Sequence, residues 1–211
     1  MWRARRGTSV PGVLKTRPAI PLIPAVRPAP PATPHAEGVS NDEFREAMSR
    51  LAAGVVLVTA REEPLSADGP DGEDVGMTAT AFMSVSLDPP LVLVSLREGS
   101  RMDDLLAEQP LWGVSVLAEG QRHVAGRFAM KGRISDRLLF EDLPRTRGPA
   151  SGALLMGGAL ATLECRTESR VEAGDHTLVV GRVLSAALPP LPPSEGGPLT
   201  YFRGRYRQLG A

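Results

Sequence analysis

The sequence predicts a mostly β fold: a closed or nearly closed antiparallel barrel with a few short helices packed outside it. Three observations carry that expectation. Short apolar, β-branched runs recur along the chain, as at Val55–Ala60, Leu91–Leu96 and Trp112–Leu117. Turn signals such as Leu87-Asp88-Pro89-Pro90 and Gly174-Asp175 separate them. The intervals between runs are too short for the repeated crossover helices of a parallel sheet. With 211 residues, 42% of them hydrophobic and only 4% aromatic, the chain can build one domain around an aliphatic core.

Residues 1–38 stand apart in composition. Prolines fall at positions 11, 18, 21, 24, 28, 30, 31 and 34, and no apolar period is sustained. Such a segment cannot build a core, so a disordered Pro/Arg-rich arm is expected there and a folded domain over 39–211. The arm has no continuous apolar stretch of the secretory type, and its prolines spoil the amphipathic helix of a transit peptide. Arg3, Arg5, Arg6, Lys15, Arg17 and Arg27 give residues 1–36 a charge of +6 with no acid; since the chain is formally neutral, the remainder carries −6. A mildly acidic domain argues against nucleic acid as its ligand.

Order begins at Ser40, where Ser-Asn-Asp-Glu has capping-box spacing and Phe44, Met48 and Leu51 follow at helical intervals. Gly54 is expected to end that helix. A buried strand over Val55–Ala60 leads into the polar loop REEPLSADGPDGEDV, then into one strand through Thr78–Val85. The Asp-Pro-Pro turn returns the chain as Leu91–Leu96. Ser100–Gln109 reads as a short helix stopped by Pro110, Trp112–Leu117 as a strand and Gly120–Met130 as a helix. Ala159–Glu172, His176–Leu184 and Leu199–Phe202 complete a strand-rich second half.

A single cysteine, Cys165, excludes an internal disulfide and a cysteine metal cluster, and fits a reducing, cytoplasmic compartment. Its alternation with Ala161 and Leu163 against Thr162, Glu164 and Arg166 points it into a strand's core face. No apolar run approaches the roughly 18 residues of a membrane helix, so no membrane is expected as partner; with no cysteine or histidine cluster, no metal is expected either.

The segment GMTATAFMSVSLDPPLVLVSL is the first candidate site, because Thr78, Thr80, Ser84, Ser86 and Ser95 place hydroxyls among Ala79, Ala81, Val85 and Leu93. Small residues let a flat ligand with polar edges approach backbone N–H groups, as a flavin does. The same pattern also suits the solvent face of an ordinary hairpin. At Ser100 a strand gives way to a helix, whose N-terminus together with Arg101 suits a phosphate. Ser100 can equally be a plain N-cap, with Asp103 closing the box. His176 follows a Gly-Asp turn at the start of a strand, suited to guiding a nicotinamide or to a structural role. His35 and His123 read as solvated surface residues. Three of the nine aromatics cluster in PLTYFRGRY with arginines, as a closing strand or as the wall of a ligand site.

Five stretches in this order, FREAMSRLAAGVVLVTA, GMTATAFMSVSLDPPLVLVSL, QRHVAGRFA, LECRTESRVEAGDHTLVVGRV and PLTYFRGRYRQL, resemble the flavin reductase family with the FMN-binding split-barrel fold, the reductase components of two-component flavin-dependent monooxygenases. The match runs from about Phe44 to Leu209. The resemblance implies a six-stranded antiparallel split β-barrel, a homodimer, FMN or FAD as flavin, NADH or NADPH as hydride donor and an oxygenase component as partner. It places Ala79, Thr80 and Ala81 along the flavin ring, Ser84 near its reactive edge and Ser95 at the ribityl chain or ring. Ser100 and Arg101 meet the phosphate, and Phe128 and Ala129 complete the pocket. His176 lies near the nicotinamide, with Tyr206 close by. The implied chemistry is hydride transfer from NAD(P)H to flavin N5, which explains why the chain needs no GxGxxG fingerprint and no metal cluster. The loop from Arg61 to Asp74 is longer and more acidic than the family pattern and leads into the flavin strand, a position from which it can narrow the entrance. A non-catalytic flavin- or haem-binding protein on the same barrel is the alternative expectation, and a pure interaction domain a third.

Overall fold

The computed structural model describes residues 38–63, 72–130, 136–190 and 196–209. The arm expected before residue 38, His35 within it, and the middle of the acidic loop lie outside these residues.

A capping box opens helix α1 (Asn41–Met48): Ser40 Oγ accepts from Glu43 N at 3.2 Å, and Glu43 Oε2 accepts from Ser40 N at 2.9 Å. The expected stop at Gly54 is corrected. The chain leaves the helix after Met48, because Arg50 N and Leu51 N bond back only three residues, to Ala47 O and Met48 O. Gly54 instead lies in a short strand, β1 (Ala53–Gly54), paired with Thr200.

Strand β2 (Val56–Arg61) turns back as β3 (Asp74–Ala79). The single strand expected over Thr78–Val85 is interrupted at Thr80 and Ala81 and resumes as β4 (Phe82–Leu87), which the Asp-Pro-Pro turn joins to β5 (Pro90–Arg97). Helix α2 (Arg101–Glu108) and β6 (Leu111–Val116) follow, then α3 (Arg122–Ala129), α4 (Asp136–Phe140) and the hairpin of β7 (Arg145–Arg147) with β8 (Leu154–Met156). Two long strands, β9 (Ala161–Ala173) and β10 (His176–Ala187), precede a terminal hairpin of β11 (Thr200–Phe202) and β12 (Arg205–Arg207). That last strand is not in the sequence reading. Arg203 and Gly204, with φ of 49° and 72°, form a tight turn that pairs it with β11.

Seven antiparallel segments form the main sheet in the order β3-β2-β6-β9-β10-β5-β4. Its two edges, β3 and β4, are consecutive in the chain and joined only by Thr80 and Ala81. A link of two residues reaches no more than about 11 Å, so the sheet must curl until its edges meet. Because β3 and β4 run in the same direction, they make one stave broken at its middle, and the barrel has the expected six staves. Ser95 N donates to Ala81 O at 3.0 Å across the break.

Successive side chains of a strand face opposite sides, and β2 is buried on both. Val56, Val58 and Ala60 join Val94, Leu96, Trp112, Val114, Cys165 and Val179 in the barrel interior, together with Met102, Leu105 and Leu106 of α2. Val55 and Leu57 face a second core with Leu117, Val124, Phe128, Phe140, Met156 and Leu199, built under α3, α4 and β8. Gly181 is required under Trp112, since a Cβ there would lie 2.4 Å from the indole Cζ2.

Cys165 is fully buried as expected, and burial, reinforced by the neighbouring Glu164 charge, pushes its thiol up to about 12. An aromatic disulfide reagent is therefore expected to label Cys165 only after denaturant is added. Rapid labelling of the native chain at neutral pH would contradict this burial. Among the described residues no helix is long and apolar enough to cross a membrane, and no cluster of three or more His, Cys, Asp or Glu is arranged for a metal.

Candidate functional site

Alternating strand directions bring four strand ends to one mouth of the barrel: Arg61 of β2 opposite Asp74 of β3, and Arg97 of β5 opposite His176 of β10. Helix α2 starts after three intervening residues beyond β5, on the same rim. The break in the stave lies below it, where Ala81 meets Ser95.

At the break Ala79 is buried, Thr80 and Ala81 are exposed, and Ser95 is half-buried beside them. Ser84 is exposed in register with Val92, further along β4. The hydroxyls of Thr80, Ser84 and Ser95 make no hydrogen bond with other described residues, so this donor set is open to a ligand. Thr78 is different, since its hydroxyl donates to Ala125 O at 2.8 Å and ties β3 to α3. Exposed small residues and open hydroxyls beside accessible backbone fit the ring and polyhydroxylated chain of a flavin.

Ser100 is the N-cap of α2, its Oγ accepting from Asp103 N at 3.3 Å. Arg101, in the first turn, donates through Nη2 to Glu62 Oε2 at 2.8 Å and to Glu73 Oε2 at 2.7 Å. Asp103 is buried; it accepts from Arg170 Nη2 at 2.6 Å and from Gly99 N at 3.3 Å, which pins the start of α2 to β9. Beside this pair a cleft of about 250 Å³ is lined by Glu98, Asp103, Arg170, Glu172, His176 and Thr177, among others. His176 Nδ1 lies 2.7 Å from Asp175 Oδ1. That hydrogen bond, and then the imidazole's charge, hold the Asp175 carboxyl below its usual range.

The structure thus gathers Ala79, Thr80, Ala81, Ser84 and Ser95 along the break, and Ser100, Arg101 and His176 on the rim above it. Phe128, Ala129 and Tyr206 lie elsewhere within the chain. Phe128 is 1% exposed, its ring centroid 4.6 Å from that of Phe140 and close above Gly76, so it belongs to the second core. Ala129 is exposed at the end of α3. Tyr206 packs against the second core, with Tyr201 at 5.5 Å and Arg122 at 6.0 Å, and burial raises its phenol pKa. It does not line the cleft of His176.

Sequence reasoning missed five acidic partners. Glu62 and Glu73 were legible only as part of an acidic loop, and Asp103 only as a capping residue. Asp74, 17% exposed, binds Arg147 through two bonds of 2.8 Å and anchors the β2–β3 base to β7. Glu164, which alternates with Cys165 as a solvent-facing residue would, is 2% exposed. The loop after β7 covers it, and its Oε2 accepts from Ala150 N, Ser151 N and Ser151 Oγ at 2.7 to 2.8 Å.

A six-stave barrel closed through a broken stave, with small hydroxyl-bearing residues at the break and a serine-capped helix start on the rim, defines a split-barrel protein of the nucleotide-binding type. The family model described as "Flavin reductase like domain" matches residues 48–210. The chain belongs to this family. It is 40% identical over 167 residues to an "NADH-dependent flavin reductase" of Rhodococcus sp, covering 79% of this chain and 85% of that one. It is 39% identical over 168 residues to the "4-hydroxyphenylacetate 3-monooxygenase, reductase component" of Thermus thermophilus, covering 80% and 96%. Among solved structures, the flavin reductase component of a bacterial two-component tryptophan halogenase superimposes with a TM-score of 0.70 at 37% identity, covering 82% of this chain and 99% of that one.

Proposed function

We propose that this chain reduces FMN or FAD with NADH or NADPH and passes the reduced flavin to a partner monooxygenase. One observation carries the reading most directly: the broken stave sets exposed Thr80 and Ala81 beside Ser95, under a rim that holds Ser100, Arg101 and His176. The names of the relatives, NADH-dependent flavin reductase and monooxygenase reductase component, support it.

A flavin held here would supply the hydride-accepting chemistry, with NAD(P)H as the donor. The residues of the chain bind and orient. Backbone at Ala79–Ala81 runs along the ring, Ser84 and Ser95 offer hydroxyls to its polar edges, and Ser100 with Arg101 receives the phosphate. Asp175 fixes the His176 ring through Nδ1, so Nε2 is the nitrogen left for the nicotinamide. Phe128 backs the pocket from the second core beside Ala129. We assign Tyr206 to the nicotinamide side in a homodimer, where a second copy can complete what one chain leaves apart. Met83, Val85 and Leu87, all exposed along β4, are the apolar residues suited to that contact. The cytoplasm is the compartment we assign.

The test is oxidation of NADH and NADPH by the full chain, followed by nicotinamide absorbance, with FMN, FAD or no added flavin. Turnover that requires added flavin is the expected result. Tight flavin binding without turnover under any condition would favour the non-catalytic binder and remove the role given to His176.

A further inference from the structure

In the proposed function Arg101 is the side chain that receives a flavin phosphate, yet it already holds two anions. Its Nη2 donates to both Glu62 and Glu73, and its side chain is 45% exposed, so the pair-bonded guanidinium stays within reach of a solute. The two carboxylates are not carried at the tip of a loop. Glu62 directly follows β2, Glu73 directly precedes β3, and Glu62 N donates to Glu73 O at 2.8 Å, which closes the base of the loop between them. Asp74, bound by Arg147, anchors that base from the other side. The carboxylates therefore sit at defined positions against the first turn of α2.

We propose that Glu62 and Glu73 act as a built-in counter-anion that competes with the phosphate of a flavin nucleotide for Arg101, so that they set how loosely flavin is held. The proposal rests on the flavin-reductase reading and deepens it. Two carboxylates meet the one guanidinium, through Glu62 Oε2 at 2.8 Å and Glu73 Oε2 at 2.7 Å. A phosphomonoester bringing about −1.5 to −2 charges must displace or share these partners, a cost that riboflavin, which has no phosphate, does not meet. The consequence is a flavin taken up and released as a substrate, as delivery to a separate oxygenase requires.

The experiment compares the full-length chain with Glu62→Gln, Glu73→Gln and the double variant in fluorescence titrations with FMN and with riboflavin at moderate salt. Glutamine keeps the shape and removes the charge, and both sites are partly exposed. Each exposed pair is worth little by itself, so the double variant is expected to bind FMN about 3- to 10-fold more tightly, with riboflavin unchanged within about twofold. Adding Arg101→Ala to the double variant is expected to erase the gain, and raising salt to shrink it. An FMN affinity that does not rise, or a riboflavin affinity that rises in parallel, overturns the proposal. Oxidation of NADH by the unaltered chain with FMN separates the two levels. Turnover with an unchanged FMN-to-riboflavin ratio across the variants refutes the counter-anion alone, whereas no turnover and no flavin binding refute the reductase reading and the counter-anion with it.

Discussion

Glu164→Ala is expected to lower the stability of the domain by about 3 kcal/mol. The carboxyl is 2% exposed and accepts three hydrogen bonds, from Ala150 N, Ser151 N and Ser151 Oγ. Removing it leaves those donors without their acceptor in a covered site, and each unsatisfied buried donor costs roughly 1–3 kcal/mol before water or relaxation recovers part of it. Gly148 lies tight against the carboxylate, since an added Cβ there would be 2.3 Å from Glu164 Oε2. The loop covering β9 is built against this one side chain. For a domain of this size about 3 kcal/mol corresponds to a melting temperature lower by roughly 6–12 °C. Glu164→Gln, which keeps one acceptor oxygen, is expected to lose much less. A thermal melt of both variants checks the order; equal melting temperatures for the alanine variant and the unaltered chain would mean that the loop is held by something other than Glu164.

Ser100→Asp is expected to separate folding from phosphate binding. Aspartate caps a helix as well as serine does, and a negative charge at the first turn suits the helix dipole, so α2 and its melting temperature should be kept. A flavin phosphate arriving at the same place meets a new full charge. At an effective dielectric of about 20, like charges 4 Å apart cost about 4 kcal/mol, which solvent exposure reduces to about 2 kcal/mol here. FMN is then expected to bind about 30-fold more weakly and riboflavin with unchanged affinity. Equal FMN affinity for the variant and the unaltered chain would remove Ser100 from the phosphate site.

Much of the barrel was legible because it rests on local signals. The capping box at Ser40, the apolar run of β2, the Asp-Pro-Pro turn and the helix start at Ser100 each announce themselves within a few residues, and each is present in the structure. The order of five motifs was enough to point to the family. The errors fall where distant contacts decide. Gly54 reads as a helix stop, but β11 draws it into a strand. Thr78–Val85 reads as one strand because its residue types are uniform, and only closure of the sheet breaks it at Thr80 and Ala81. That the Phe128 ring packs against Phe140 and lies close over Gly76 is likewise invisible in the chain.

By itself the sequence determined an antiparallel barrel, because strand period, turn residues and helix caps act over a few neighbours, and the resemblance of five ordered motifs pointed to the flavin reductase family. Tertiary structure alone decided what the charged groups do. Arg101 is paired with Glu62 and Glu73, Asp103 is buried on Arg170, and Glu164 is covered by a loop, although the chain reads Arg101 as a phosphate ligand, Asp103 as a helix-capping residue and Glu164 as the solvent side of a strand. The reason is that an ion pair is set by where two side chains meet in space, across 39 residues for Glu62 and Arg101 and 67 for Asp103 and Arg170, and no local pattern encodes such a meeting.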